Sequence, residues 1–179
     1  VGCATGEEPY SLMMYIDKYI TDKNEKCYLA VTASDISHDA LAIGSKALYH
    51  RNRFTNVPQE YLETYLQEID EDHFLVNDSL RKRICFNRLN LINFDDNTVG
   101  KMEIIICQNV LIYFKRETRI KILNQLVEHL VPDGLLILGA GEITGWQHPE
   151  ITRIKYDGVL AFKRTQTQLE NSQKPRYDA

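Results

Sequence analysis

Near its start the chain runs Gly2-Cys3-Ala4-Thr5-Gly6-Glu7-Glu8, small residues followed by two carboxylates. Small residues let a ligand approach the backbone closely. The run contains no G-x-G-x-x-G, and its acidic residues would repel a pyrophosphate, so a dinucleotide is disfavoured and a cationic ligand is favoured. S-adenosylmethionine (SAM), with a sulfonium and an amino group, meets that description. Equally, Glu7 and Glu8 could do no more than complement the positive end of a helix. Asp35 follows a predicted strand and can accept both hydroxyls of a ribose, or cap the helix that starts near His38. Gln108 and Asn109 stand where the Glu-Ile-Ile-Ile-Cys run over 103–107 stops, and their amides can hold an amino-acid moiety. Tyr113 follows shortly after among apolar residues, as a site candidate or as a core aromatic with a satisfied hydroxyl. Asn90-Leu91 offers a further amide, suited to an adenine edge.

These residues need strands to carry them. Val1 to Cys3 reads as the end of a strand, Tyr28 to Ala33 as a buried one, and Glu103 to Cys107 as the strongest strand signal in the chain. Between them, Pro9 to Ile20 has helical spacing at Leu12, Met13, Ile16 and Ile20. Ser37 caps a helix from His38 to about Ala47 with Ala40, Leu41 and Ile43 inward, and Pro58 to Gln67 is another helix. His73 to Val76 and Arg83 to Leu89 read as strands of a small polar insertion. Arg116 to Leu130 is amphipathic, with Ile120, Leu123, Val127 and Leu130 on one stripe, and Pro132-Asp133-Gly134 ends it before a strand over Leu135 to Leu138. Ile151 to Lys155 and Val159 to Lys163 form a closing antiparallel pair around Asp157-Gly158. Strands separated by helices imply βαβ units and a mostly parallel sheet, whose carboxyl edge would gather the three candidate segments.

Composition bounds the partners. The 179 residues suit one α/β domain, 44% apolar and 26% charged. A formal net charge of −4 gives no basic excess for phosphates, so no nucleic-acid partner is expected. No apolar run approaches the ~18–20 residues of a membrane span, so no membrane insertion is expected. Cys3, Cys27, Cys85 and Cys107 form no C-x-x-C pair and read as small buried hydrophobes of a reducing cytoplasm. The histidines share no metal-ligand spacing, so no metal site is expected. Val1 opens on what reads as a strand end, which predicts missing sequence upstream, and Thr165 to Ala179 reads as a loose polar tail.

In this order, Cys3-Ala4-Thr5-Gly6-Glu7-Glu8-Pro9-Tyr10-Ser11-Leu12, Ala33-Ser34-Asp35-Ile36, Asn90-Leu91, Asn109-Val110-Leu111-Ile112-Tyr113-Phe114 and Pro132-Asp133-Gly134-Leu135-Leu136 resemble the CheR family of chemotaxis receptor methyltransferases. The resemblance runs from Val1 to about Arg164. It implies a Rossmann-like SAM-dependent methyltransferase domain over 1–164, with a C-terminal antiparallel hairpin, an inserted β-subdomain at about 68–89 and a missing N-terminal helical domain. It implies SAM as cofactor, S-adenosylhomocysteine as product, and glutamates of a chemoreceptor cytoplasmic domain as acceptors. Thr5, Gly6, Glu8, Asp35, Asn90, Leu91, Gln108 and Asn109 are then cofactor contacts, and Tyr113 faces the methyl group. Gln108 replaces the arginine usual in the family. In the family the insertion can dock a receptor-terminal peptide. Here Asp70-Glu71-Asp72 stands without a glycine-rich hairpin, so weak or no dependence on that peptide is expected. The Gln108–Phe114 and Gly139-Ala140-Gly141-Glu142 runs resemble the PilK branch, which serves type IV pilus systems. Two rivals remain: an NAD-linked oxidoreductase, and a SAM-binding sensor or scaffold without turnover.

Overall fold

The computed structural model describes residues 1–94 and 99–165. Contacts within the chain group it into two compact units, Val1–Asn93 and Phe94–Ala179. The tail expected from Thr165 to Ala179 lies, beyond Thr165 itself, outside the described residues.

In the first unit, α1 (Glu7–Asp22) follows the glycine-containing turn. Its buried stripe is Pro9, Tyr10, Met13 and Met14: of the expected stripe Met13 is buried, while Leu12, Ile16 and Ile20 are half-buried and the Tyr10 ring fills the interior beside Met13. Pro9 sits in the first turn, where its missing N–H leaves no bond unmade. Strand β1 (Val31–Asp35) lies toward the later half of the predicted run, and Tyr28 is exposed. Ser37 caps α2 (His38–Lys46) as expected, its side chain accepting from Ala40 N at 3.2 Å. Leu41 and Gly44 are buried there, whereas Ile43 is exposed.

Strand β2 (Leu48–His50) comes next, then helix α3 (Gln59–Tyr65), β3 (Leu66–Glu68) and β4 (His73–Val76), and the strands form an antiparallel sheet in the order β2-β4-β3. After the short α4 (Asp78–Arg81) comes β5 (Ile84–Arg88). The sequence assigns this last strand to the insertion. It pairs instead parallel to β1, with Val31 opposite Ile84 and Asp35 opposite Arg88. Its polar flanks, Arg83 and Arg88, disguise a strand that buries Ile84. Cys27 and Cys85 are exposed, against expectation, while Cys3 is buried. Cys85 takes the outward-facing position between Ile84 and Phe86, as alternation along a strand requires.

The second unit contains β6 (Met102–Cys107), α5 (Arg116–Glu128), β7 (Leu130–Leu138), β8 (Ile151–Tyr156) and β9 (Val159–Arg164), with its sheet ordered β6-β7-β9-β8. The β6–β7 pair is parallel, and β9 runs antiparallel to both β7 and β8, giving the expected terminal hairpin. Of the expected stripe, Leu123 and Val127 of α5 and Leu130 just beyond it are buried and Ile120 is half-buried, with Ile122 and Leu126 buried beside them. Pro132-Asp133-Gly134 does not separate helix from strand. It bulges within β7, so that Met102 faces Leu130 while Ile104 faces Leu135, and Asp133 takes φ 66°.

Candidate functional site

In the first unit the candidate residues collect at the carboxyl end of the parallel β1–β5 pair. Gly2 N and Cys3 N both donate to Ser34 O, at 2.7 and 3.0 Å, so the turn lies against the end of β1. Ala4 adopts φ 45° and Gly6 φ 93°. This winding turns Ala4 N onto Asp35 Oδ2 at 2.9 Å, while Asp35 Oδ1 accepts from Ser37 N at 2.9 Å. Asp35 therefore ties the turn to the start of α2, and it is not the residue that caps that helix. A carboxylate offers about four lone-pair sites. With one N–H on each oxygen, both keep acceptor capacity for a pair of neighbouring hydroxyls.

The two glutamates separate. Glu7 accepts from Thr5 Oγ1 at 2.6 Å and pairs with Arg53 at 3.5 Å. Glu8 is exposed and takes no hydrogen bond or ion pair from the described residues of its unit. A cation approaching this turn meets Glu8 with its charge uncommitted. Leu89 N donates to Asp35 O at 3.0 Å, which brings the following Asn90 beside the end of β1. Asn90 Oδ1 accepts from Ile92 N at 3.0 Å, and Leu91 is buried. Acceptors for two hydroxyls, a free carboxylate and a close-approach turn together fit an aminoacyl nucleoside such as SAM.

Sequence reasoning missed the support beneath this turn. Tyr49 of β2 donates its hydroxyl to Thr5 O at 2.7 Å, and a Cβ on Gly6 would fall 2.8 Å from that same hydroxyl. Burial holds the Tyr49 phenol far above its usual range, which keeps it a donor. Burial, reinforced by the Asp35 charge, pushes the Cys3 thiol up to about 11, so it stays protonated at neutral pH and is no nucleophile. The only sequence signal for Tyr49 is an aromatic in a short polar strand.

In the second unit the candidates stand at the carboxyl end of β6. Asn109 takes the left-handed conformation at φ 59°, which asparagine tolerates better than most residues, and turns the chain into a 3-10 segment at Leu111–Tyr113. Tyr113 is 81% exposed, which removes the core-aromatic reading. Gln108 is half-buried and Asn109 exposed. The sequence gives no role to Glu142 beyond a place in a glycine-rich run, yet its carboxylate is buried and bridges two strand ends. Oε1 accepts from Val110 N at 2.8 Å and Leu111 N at 2.9 Å, and Oε2 accepts from Gly139 N at 2.7 Å. A lone glutamate among small residues directly after a strand was the available clue.

An open pocket of about 940 Å³ lies in this unit, lined by Trp146, His148, Arg153, Tyr156 and Phe162 among others. None of the sequence-expected site residues lines it.

The family described as "CheR methyltransferase, SAM binding domain" matches residues 1–156. That match decides between the cofactors considered, for SAM and against NAD. The chain is 32% identical over 141 residues to a chemotaxis protein methyltransferase of Borreliella burgdorferi, covering 79% of this chain and 50% of that one. It is 33% identical over 143 residues to chemotaxis protein methyltransferase 1 of Pseudomonas aeruginosa, covering 78% and 52%. For the chemotaxis protein methyltransferase of Escherichia coli the figures are 32% over 142 residues, 78% and 49%. The chain thus spans about half the length of the curated relatives it matches.

Proposed function

We propose that this chain, which belongs to the CheR methyltransferase family, transfers a methyl group from SAM to glutamate side chains of a chemoreceptor cytoplasmic domain. The products are a glutamate methyl ester and S-adenosylhomocysteine. The observation that supports this most is Asp35, fixed by Ala4 N and Ser37 N with an acceptor left on each oxygen, next to an uncommitted Glu8.

Asp35 accepts the ribose hydroxyls, and Glu8 balances the ammonium of the aminoacyl part. Thr5 and Gly6 form the turn the ligand rests on, and Asn90 and Leu91 contact the adenosine. Gln108 and Asn109 hold the amino-acid end; at Gln108 a neutral amide does so where the family usually has a cation. Bound SAM supplies an electrophilic methyl on its sulfonium. The acceptor glutamate is already ionised at neutral pH, so no side chain has to remove a proton. Orientation then dominates, and well-placed reactants gain roughly 7–11 kcal/mol from proximity. Tyr113, exposed on its 3-10 turn, orients the acceptor carboxylate or the methyl through its hydroxyl. We place the reaction in the cytoplasm, and the wording of 108–114 favours a receptor of type IV pilus systems.

The test incubates the full-length protein carrying this chain with receptor and labelled SAM, scored for base-labile methyl esters. Ester formation supports the proposal. SAM bound at Asp35 with no ester formed assigns the chain to the sensor class instead.

A further inference from the structure

The segment that carries Tyr113 is held from outside by two side chains. Glu142 accepts from Val110 N and Leu111 N. Arg119 of α5 donates to the other side of the segment: Nε to Phe114 O at 2.7 Å and Nη2 to Ile112 O at 3.3 Å. Its Nη1 donates to Glu142 O at 2.7 Å, so the two clamps are linked through the backbone of Glu142 itself. Val110, Leu111, Ile112 and Phe114 are thus each fixed by a clamp, and the side chain projecting between them is that of Tyr113.

The anchor of the clamp is also fixed. Cys107 and Leu138 face each other at the ends of β6 and β7. Oε2 of Glu142 closes on Gly139 N, one residue past that point, and a Cβ on Gly139 would collide with the carboxylate. The loop after β6 is therefore registered against the end of β7 through one buried carboxylate.

We propose that Glu142 and Arg119 are positioning residues for methyl transfer, acting through Tyr113. The inference rests on the methyltransferase reading above. A displaced phenol costs rate without removing a cofactor contact, so the signature is in kcat. Glutamine at 142 keeps an acceptor for Val110 and Leu111 but turns N–H groups toward Gly139 N, where two donors oppose. Arg119→Lys keeps the charge and cannot span three carbonyls.

The experiment measures ester formation by the full-length protein with Glu142→Gln and Arg119→Lys, each alone and each combined with Tyr113→Phe. The expected result is a kcat lowered roughly ten- to a hundredfold with a smaller change in KM for SAM. The combined variants should be no slower than Tyr113→Phe alone, because a clamp with no phenol to place has nothing left to lose. If Glu142→Gln does not fold, Arg119→Lys carries the same test with the buried carboxylate intact. Losses that multiply in the combined variants, or an unchanged kcat, overturn the positioning role and leave the methyltransferase reading standing. Wild-type protein that forms no ester overturns both.

Discussion

Replacing Gly6 by alanine should damage the fold and the cofactor site together, by an amount that can be divided into two parts. Gly6 sits at φ 93°, and its added Cβ would stand 2.8 Å from Tyr49 Oη and 3.0 Å from both Gly44 Cα and Phe86 Cζ. The left-handed backbone costs an L-residue about 1–2 kcal/mol. Overpacking against neighbours that cannot all retreat adds about 1–3 kcal/mol. Two of the three atoms belong to a helix backbone and a packed ring, so little relief is available. The sum is about 2–5 kcal/mol, which for a chain of this size lowers Tm by roughly 4–20 °C.

Two further variants separate the parts. Gly158→Ala carries the strain alone, since Gly158 has φ 75° and an added Cβ there would meet nothing within 4 Å, and it should cost about 1–2 kcal/mol. Gly44→Ala carries crowding alone: its Cβ would lie 2.5 Å from Phe86 Cε1. That cost is partly offset by the ~1 kcal/mol that alanine gains over glycine within a helix. Urea midpoints of the three variants give the comparison, and calorimetry on folded Gly6→Ala should show SAM binding weakened roughly tenfold or more, about 1.4 kcal/mol. If Gly6→Ala is no less stable than Gly158→Ala, the close packing of the turn on Tyr49 is not what holds it, and the reasoning fails.

Asp35→Asn should weaken SAM binding roughly ten- to a hundredfold, because one anionic acceptor is lost and an N–H faces Ala4 N or Ser37 N, a loss of about 1.5–3 kcal/mol; calorimetry reads it, and unchanged affinity removes Asp35 from the cofactor contacts. Tyr113→Phe should lower kcat by roughly tenfold or more while SAM binding stays near wild type; steady-state kinetics with equal turnover would strike Tyr113 from the reaction. Stability should fall in alkali: burial raises Cys3 to about 11, Tyr10 to about 12, and Tyr49 and Tyr65 higher still. Since the folded state favours their neutral forms, the stabilisation is whole below the unfolded values, near pH 9–10, and is lost as pH rises through the folded ones. Urea midpoints that hold level from about pH 9 to 12 would contradict this. A receptor C-terminal peptide should bind the β2-β4-β3 insertion weakly or not at all, and tight binding in a calorimeter would refute that.

Much of the fold was legible where pattern and local chemistry agree. Ser37 reads as a cap and caps; the 103–107 run reads as a strand and is one; Asp157-Gly158 joins the hairpin strands. Misreadings came where tertiary context overrides pattern. Pro132-Asp133-Gly134 has every sign of a helix stop, but the strand begins at Leu130 and bulges through it, which a linear pattern does not distinguish from a loop. Strand β5 is bordered by arginines and looks like a surface hairpin, yet parallel pairing with β1 is decided by residues some fifty positions earlier. Among the candidate residues, polar side chains just past strand ends stand out in the sequence: Asp35 and Asn90 in the first unit, Asn109 in the second. Glu142, Arg119 and Tyr49 did not, because each works on backbone atoms distant in sequence, and no spacing rule encodes a side chain that bonds to another loop's N–H or C=O.

The proposed transfer would move no proton, which leaves geometry as the protein's main contribution. Each unit uses a carboxylate in the same manner. Asp35, at the end of β1, collects one N–H from the turn and one from the start of α2. Glu142, shortly after β7, collects two from the loop after β6 and one from its own. A carboxylate can do this because it accepts from several donors without offering a proton of its own. An amide of the same shape must present a donor on one side, so Asp→Asn and Glu→Gln are disruptive at these two positions although nearly isosteric. The same logic separates Glu7 from Glu8. Glu7 is occupied by Thr5 and Arg53, and Glu8, one residue on, is exposed and is the one proposed to meet the ligand.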